Sequence, residues 1–154
     1  MLWQAPEAEV FALSQANRIS QIVWSPLAQG LLTGKYRAGQ QPPADSRAAH
    51  SQMNTAMNLV MNDTTLAAVE RLRPIAVQTG HSMAELALAW VLRRPEVASA
   101  IVGASRPAQV HANAAASGIE LSPDVLSAID EALGDAPVRR PTPAPFAESG
   151  VTHR

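Results

Sequence analysis

A length of 154 residues is enough for one ordinary globular domain that buries a core without disulfides or metal ions. Twelve basic and thirteen acidic residues leave a net charge of -1, so no basic field exists to attract nucleic acid or an anionic membrane surface. The sequence has no cysteine, which excludes disulfides and cysteine-ligated metals, and no apolar run long enough to span a membrane. We therefore expect a soluble, cytoplasmic protein.

The first part of the chain predicts a helix, a strand and a long loop. Helical spacing over 7–17 predicts the helix, on a face that carries Val10, Leu13, Ser14 and Asn17. The apolar run over 19–24 predicts a short strand that is buried. Glycines and prolines then predict a loop over 27–63, a length typical of functional or mobile connections.

Two helices are predicted next. Apolar periodicity over 64–79 predicts a helix in which Pro74 causes a kink or a turn, and Gly80 ends it. The sequence Ser-Met-Ala-Glu at 82–85 has the form of a capping box, so a new helix is predicted to begin there and to run to about residue 94.

The last predicted elements are a strand and two helices. The strand is predicted over 97–103, and a helix over 107–117 is predicted to end at Gly118 in the left-handed conformation. A final helix is predicted over 122–133. We expect one domain over residues 1–134, followed by an extended or disordered, proline-rich tail over 135–154.

The alternation of helices and strands predicts an α/β fold with a parallel sheet whose strands are buried on both faces. Two strands cannot form a stable sheet of this kind alone. The pattern therefore predicts further strands, supplied by another chain or by residues that this sequence does not contain.

The loop after the first strand, residues 24–35, is one candidate site. Ligands of parallel α/β proteins bind at the carboxyl ends of the strands. Gly30 and Gly34 would let the backbone approach a diphosphate closely, and Lys35 would add a positive charge. A solvent-exposed loop with ordinary turn glycines accounts for the same residues, so spacing alone leaves both interpretations open.

The loop after the second strand, residues 103–109, is the other candidate site. A helix that begins there would present N–H groups that attract phosphate. Ser105 suits either a helix N-cap or a bond to a phosphate oxygen. Gln109 and Asn113 are four residues apart on one helix face, where they would contact the same ligand or be solvated.

The two loop motifs taken together indicate a protein family more specifically than either motif does alone. The stretches WSPLAQGLLTGKY at 24–36 and ALAWVLRRPEVASAIVGAS at 87–105, followed by Gln109 and Asn113, closely resemble the carboxy-terminal half of aldo-keto reductases. The nearest branch is the one that contains the potassium-channel beta subunits. The resemblance extends over residues 6–133, and it implies the carboxy-terminal portion of a (β/α)8 barrel that contains the seventh and eighth strands.

The resemblance also implies a binding site for NADP(H) across the carboxyl ends of the strands. NADP(H) is expected in preference to NAD(H), although Gln109 occupies a position where other branches have an arginine against the 2′-phosphate, and Ala112 replaces an acidic residue common in the nearest branch. The implied positions are Trp24 near the nicotinamide; Ser25, Pro26, Leu27, Gln29 and Gly30 along the diphosphate; Lys35 and Arg47 as cations near the phosphates; and Gly103, Ser105, Gln109 and Asn113 around the adenosine end and its 2′-phosphate.

The residues that carry out catalysis in aldo-keto reductases have no counterparts in the part of the family that this sequence resembles. In aldo-keto reductases a tyrosine, a lysine, an aspartate and a histidine come from the first four strands, and this chain begins after them. Tyr36 belongs to the Gly-Lys-Tyr motif and is not expected to be catalytic. The four histidines, at positions 50, 81, 111 and 153, have no metal-ligand spacing, so no metal site is expected.

Three functional hypotheses follow from the resemblance. The first is an NADP(H)-dependent oxidoreductase that reduces small aldehydes or ketones, represented here by its cofactor-binding half. The second is a non-enzymatic nucleotide-binding or channel-beta-subunit-like interaction module. The third is an inactive fragment. A barrel of this kind needs about 250 residues, so self-association or pairing with a missing amino-terminal half is expected.

Overall fold

A computed structural model describes residues 1–49 and 60–140. Within these ranges, no helix is long and apolar enough to cross a membrane. Short 3₁₀ turns connect several of the regular elements. In chain order the helices and strands are α1 (Val10–Ala16), β1 (Gln21–Trp24), α2 (Asp63–Arg71), α3 (Arg73–Thr79), α4 (Met83–Leu92), β2 (Val97–Ile101), α5 (Pro107–Ala115) and α6 (Pro123–Leu133).

The two strands form a parallel sheet, as predicted for an α/β fold. Val23 lies beside Ala100, and both pack against the helices. The other face carries Ile22, Trp24 and Ile101, which are 65%, 71% and 61% exposed. The prediction that both faces are buried is therefore wrong for the described residues, because the helices cover only one face of the sheet.

The core lies between that covered face and helices α2, α4 and α6. Its side chains are almost all aliphatic, in keeping with an aromatic content of only 4%. They exclude water from the helical side of the sheet, and their burial is the main source of stability. The largest fully buried members are Leu31, Leu32, Leu72, Leu86, Leu88, Ile129 and Leu133.

Local sequence signals define most helix ends as predicted. The Ser82 N–H donates to the Glu85 carboxylate at 2.8 Å, and the Glu85 N–H donates to Ser82 Oγ at 3.2 Å, which completes the capping box. The helical segment breaks at Leu72, and Pro74 lies in the first turn of α3. Gly80 ends α3 with φ 72°, a conformation that favours glycine.

Two details of the sequence prediction are wrong. Of the predicted face of α1, Ser14 is buried, together with Phe11 from outside that face, whereas Val10 and Leu13 are 45% and 66% exposed. Phe11 belongs to the hydrophobic core, and the Arg94 guanidinium lies 5.3 Å from its ring centroid. Gly118 has no positive φ; it ends a 3₁₀ turn, and the chain continues in an extended conformation.

The segment after α6 makes a turn at residues 134–135 and then forms an isolated bridge at Val138. The Gln4 N–H donates to the Val138 carbonyl oxygen, and the Val138 N–H donates to the Leu2 carbonyl oxygen, both at 2.8 Å. Trp3 and Val138 thus form a parallel bridge outside the main sheet. Residues 141–154 lie outside the described residues, and the division at residue 134 stays a prediction.

The capping box provides a test of the local signals. We expect Ser82→Ala to lower the free energy of unfolding by about 1 kcal/mol, because the Glu85 N–H loses its acceptor. Urea denaturation followed by circular dichroism measures the change. Ser20→Ala, an exposed serine in the loop before β1, is the matched control and should leave stability unchanged. Equal effects of the two substitutions would contradict this assignment.

Candidate functional site

The two candidate loops leave the sheet at the same edge. Because β1 and β2 are parallel neighbours, the residues after Trp24 and after Ile101 both emerge at the carboxyl ends of the strands. An ion pair of 3.2 Å joins Arg106 in the second loop to Asp45 in the long connection after the first. Both side chains are well exposed, so the pair contributes little stability, but it brings the loops together.

The first loop has an unusual backbone. Ser25, Ala28 and Gln29 have φ values of 51°, 47° and 59°, and Gly30 follows at 98°. A left-handed conformation is strained for residues with a Cβ atom, and such strain persists where the surroundings enforce it, often at functional sites. The Gln29 amide holds the turn by donating from Nε2 to Ser25 Oγ at 2.7 Å.

Two cations lie next to this turn. Arg47 donates a hydrogen bond to the Gln29 side-chain oxygen. A Cβ atom at Gly30 would lie 3.2 Å from Cε and 3.4 Å from Nζ of Lys35, so glycine leaves the space that the lysine occupies. The Lys35 ammonium lies 5.3 Å from the centroid of the Tyr36 ring. The structure therefore brings Ser25, Gln29, Gly30, Lys35 and Arg47 together.

The remaining predicted residues of the first loop have different environments. Trp24 ends β1 on the uncovered face of the sheet and is 71% exposed. Pro26 is buried, and Leu27 is partly buried against the core. These two residues anchor the base of the turn, whereas Trp24 is available to a ligand.

The second loop is organised by Gln109. Its side-chain oxygen accepts from the Ser105 N–H at 2.8 Å, from Ser105 Oγ at 3.1 Å and from the Arg106 N–H at 3.1 Å. Arg106, and not Ser105, is the N-cap residue, because a residue before proline favours the extended conformation and the helix begins only at Pro107. Three donors thus converge on one oxygen atom.

An open depression of about 390 Å³ lies at the start of α5. Its lining includes Val110 and His111, which sequence reasoning did not assign to the site; their positions three and four residues after Pro107 would have placed them on one helix face. Asn113 is half-buried and does not line this depression. Gly103 is exposed, and a Cβ atom there would meet no atom within 4 Å.

This arrangement suits a ligand that has two separate anionic groups. The first loop offers two cations beside a strained turn, and the second offers converging hydrogen-bond donors at the start of a helix. Tyr36 is only 3% exposed, so its hydroxyl does not face a ligand. In residues 1–49 and 60–140, no cluster of His, Asp or Glu side chains could hold a metal ion.

A parallel sheet with helices on one face and two loops at its carboxyl edge has the arrangement of one part of an α/β barrel. The model of the aldo/keto reductase family matches residues 1–133, so this chain belongs to that family. The membership confirms the resemblance and the predicted fold class, the carboxy-terminal portion of a (β/α)8 barrel.

Several relatives are similar over most of this chain. A probable voltage-gated potassium channel subunit beta from Arabidopsis thaliana is 38% identical over 135 residues, which are 86% of this chain and 41% of that protein. The L-glyceraldehyde 3-phosphate reductase of Escherichia coli O157:H7 is 39% identical over 125 residues, which are 79% of this chain and 35% of that protein. The chain thus spans about two fifths of these relatives.

A solved structure of an oxidoreductase also matches most of this chain. The glycerol dehydrogenase AKR11B4 from Gluconobacter oxydans has a TM-score of 0.66 and 26% sequence identity to this chain. The match covers 92% of this chain and 42% of the dehydrogenase. The family is therefore represented here by oxidoreductase relatives as well as by channel-subunit relatives.

The buried Tyr36 hydroxyl allows a second test. It has no hydrogen-bond partner among the described residues, and a buried polar group without a partner costs about 1–3 kcal/mol. We expect Tyr36→Phe to raise the free energy of unfolding by about 1 kcal/mol, because the ring packing stays while the hydroxyl is removed. Chemical denaturation measures the change. A clear loss of stability would mean that the hydroxyl has a partner after all.

Proposed function

We propose that this chain forms the NADP(H)-binding part of an aldo-keto reductase that transfers hydride to the carbonyl group of a small aldehyde or ketone. One observation carries this proposal. A strained turn with two cations and a helix start where three hydrogen-bond donors converge lie at the same edge of the sheet. Cation and donor groups at two separated points match the central diphosphate and the 2′-phosphate of NADP(H).

The first loop would hold the diphosphate. Lys35 and Arg47 provide the positive charge, and the missing Cβ atom at Gly30 leaves room for the Lys35 side chain beside the turn. Arg47 already donates to an oxygen atom, that of Gln29, so its guanidinium is oriented toward the turn. Pro26 and Leu27 keep the turn in place by packing beneath it.

The second loop would hold the adenosine end. The Gln109 side-chain oxygen now accepts from Ser105 N–H, Ser105 Oγ and Arg106 N–H, and rotation of that side chain would free these donors for a 2′-phosphate oxygen. A set of donors that satisfies one oxygen atom supports NADP(H) in preference to NAD(H). Gly103 and Asn113 would contact the same end of the cofactor.

The nicotinamide supplies the hydride when the cofactor is bound. Trp24, exposed at the end of β1, would lie beside the nicotinamide and exclude water from that side. Tyr36 is buried in the core and is not proposed as the proton donor. This chain alone is therefore proposed to bind the cofactor and to be catalytically inactive. The cysteine-free composition supports action in the cytoplasm.

A second candidate is a non-enzymatic nucleotide-binding module. It is supported by the 38% identity to proteins described as potassium channel beta subunits. Both candidates require the same cofactor site, and they differ in catalysis. If a complete barrel built around this chain binds NADPH but reduces no aldehyde or ketone, the second candidate replaces the first.

Nucleotide titration tests the assignment of the two loops. In the folded 154-residue chain, we expect Lys35→Ala to weaken NADPH and NADH binding alike, by about tenfold, because both nucleotides carry the diphosphate. Ser105→Ala should weaken NADPH by a similar factor and NADH much less, because only NADPH carries the 2′-phosphate. Nucleotide fluorescence measures the affinity, and circular dichroism confirms the fold.

Arg18→Ala is the matched control for charge. Arg18 precedes β1 and lies at the opposite end of the strand from the site, so its removal should leave both affinities unchanged. Equal losses from Arg18→Ala and Lys35→Ala would indicate a general electrostatic effect. Unchanged NADPH affinity in a Lys35→Ala, Ser105→Ala double variant would show that the phosphate sites are assigned to the wrong residues.

A further inference from the structure

Arg73, the first residue of α3, contacts the first loop although it lies far from that loop in the sequence. Its guanidinium donates from Nη2 to the Gly34 carbonyl oxygen at 3.0 Å. The two residues are 39 positions apart, so this hydrogen bond joins the helices of the core to the loop that carries Lys35. The proposed cofactor site assigns no role to Arg73.

The Glu70 carboxylate fixes the direction of the Arg73 guanidinium. Arg73 donates from Nε to Glu70 Oε1 at 2.9 Å and from Nη2 to Oε2 at 3.1 Å, and two such bonds hold the guanidinium plane in one orientation. A hydrogen bond from Arg73 lowers the pKa of Glu70 below its ordinary value, so the carboxylate keeps its charge at neutral pH. Both side chains are at least one-third exposed, so the pair itself contributes little stability. Its main consequence is that Nη2 points at Gly34.

Gly34 is a point where the loop needs a contact from outside. Its φ of 73° lies in the left-handed region that favours glycine, the residue with the least restricted backbone. A Cβ atom at this position would lie 3.3 Å from Arg73 Nη2 and 3.2 Å from Met83 Cγ. The absence of a side chain therefore lets the guanidinium approach the carbonyl oxygen, and the guanidinium in turn restricts the freedom of the glycine.

Lys35 lies between two fixed points of the backbone. The Gly34 carbonyl group and the Lys35 N–H belong to one planar peptide unit, so the hydrogen bond from Arg73 sets the orientation in which Lys35 begins. On the other side, Tyr36 is only 3% exposed and packs in the core. Lys35 itself is exposed, yet its Cε atom would lie 3.2 Å from a Cβ atom at Gly30. The two anchored neighbours thus direct an exposed cation back over the turn.

We propose that Arg73 is a positioning residue for the cofactor site, which directs Lys35 toward the diphosphate of NADP(H) through the Gly34 carbonyl oxygen. The inference rests on the proposed function, because Arg73 acts through Lys35 and not by touching the cofactor. Without this hydrogen bond, Gly34 and Lys35 would sample more conformations in the free protein. Binding would then have to order them, at a cost in affinity.

Arg71 offers a matched control, because it makes a contact of the same kind elsewhere. It donates from Nε to the Ala132 carbonyl oxygen at 2.8 Å and so joins α2 to α6. Its charge is the same as that of Arg73 and it lies two residues away, but its acceptor belongs to a helix and not to the loop. An arginine that only stabilises the fold should therefore behave as Arg71 does.

A double-mutant cycle in the 154-residue chain separates a positioning role from a structural one. We expect Arg73→Gln to weaken NADPH binding by about fivefold, and to have no further effect in the Lys35→Ala background, because Arg73 acts through Lys35. Arg71→Gln should leave NADPH affinity unchanged. Arg73→Lys keeps the charge and a donor for the Gly34 carbonyl oxygen, and it should restore the affinity to within about twofold. Nucleotide fluorescence measures the affinity, and circular dichroism verifies the fold of each variant.

The outcomes distinguish this proposal from the proposed function. A loss from Arg73→Gln that persists in the Lys35→Ala background, an equal loss from Arg71→Gln, or no recovery in Arg73→Lys would each overturn the positioning role. If Lys35→Ala weakens NADPH binding and Arg73→Gln does not, the positioning role fails while the diphosphate assignment stands. If Lys35→Ala itself has no effect, the diphosphate assignment fails and the role of Arg73 fails with it.

Discussion

Parallel pairing of β1 with β2 is the constraint on which the site depends. Parallel strands need a long connection between them, here the whole stretch from Ser25 to Glu96. That connection supplies most of the core through its helices, and the pairing brings both candidate loops to one sheet edge. In the described part of the chain, the same pairing leaves the opposite face of the sheet uncovered.

Arg93 is one of the residues that hold the amino-terminal segment in place. Arg93 at the end of α4 pairs with the Glu7 carboxylate at 3.2 Å, donates to the Trp90 carbonyl oxygen and lies 3.6 Å from the Trp90 ring centroid. Burial lowers the pKa of Arg93, and the nearby Glu7 carboxylate opposes that effect. These contacts join the segment before β1 to the helix before β2, and so support the strand pairing.

Residues of the candidate site differ in how far sequence could place them. The turn from Ser25 to Gly30 and the cation Lys35 are close in sequence, so a resemblance in that motif is enough to group them. The contacts of Arg47 with Gln29, and of Asp45 with Arg106, join residues that are far apart in sequence. No local pattern predicts such pairs, because they depend on how the long connection folds back over the strands.

Sequence alone determined the features whose causes are local. The capping box at Ser82, the helix break before Pro74 and the left-handed end at Gly80 each depend on a few adjacent residues, and each is confirmed. Tertiary structure decided which faces are covered: Phe11 rather than Leu13 turns inward on α1, and the sheet is open on one side. Periodicity identifies an amphipathic element, but only the packed neighbours determine which of its faces is buried.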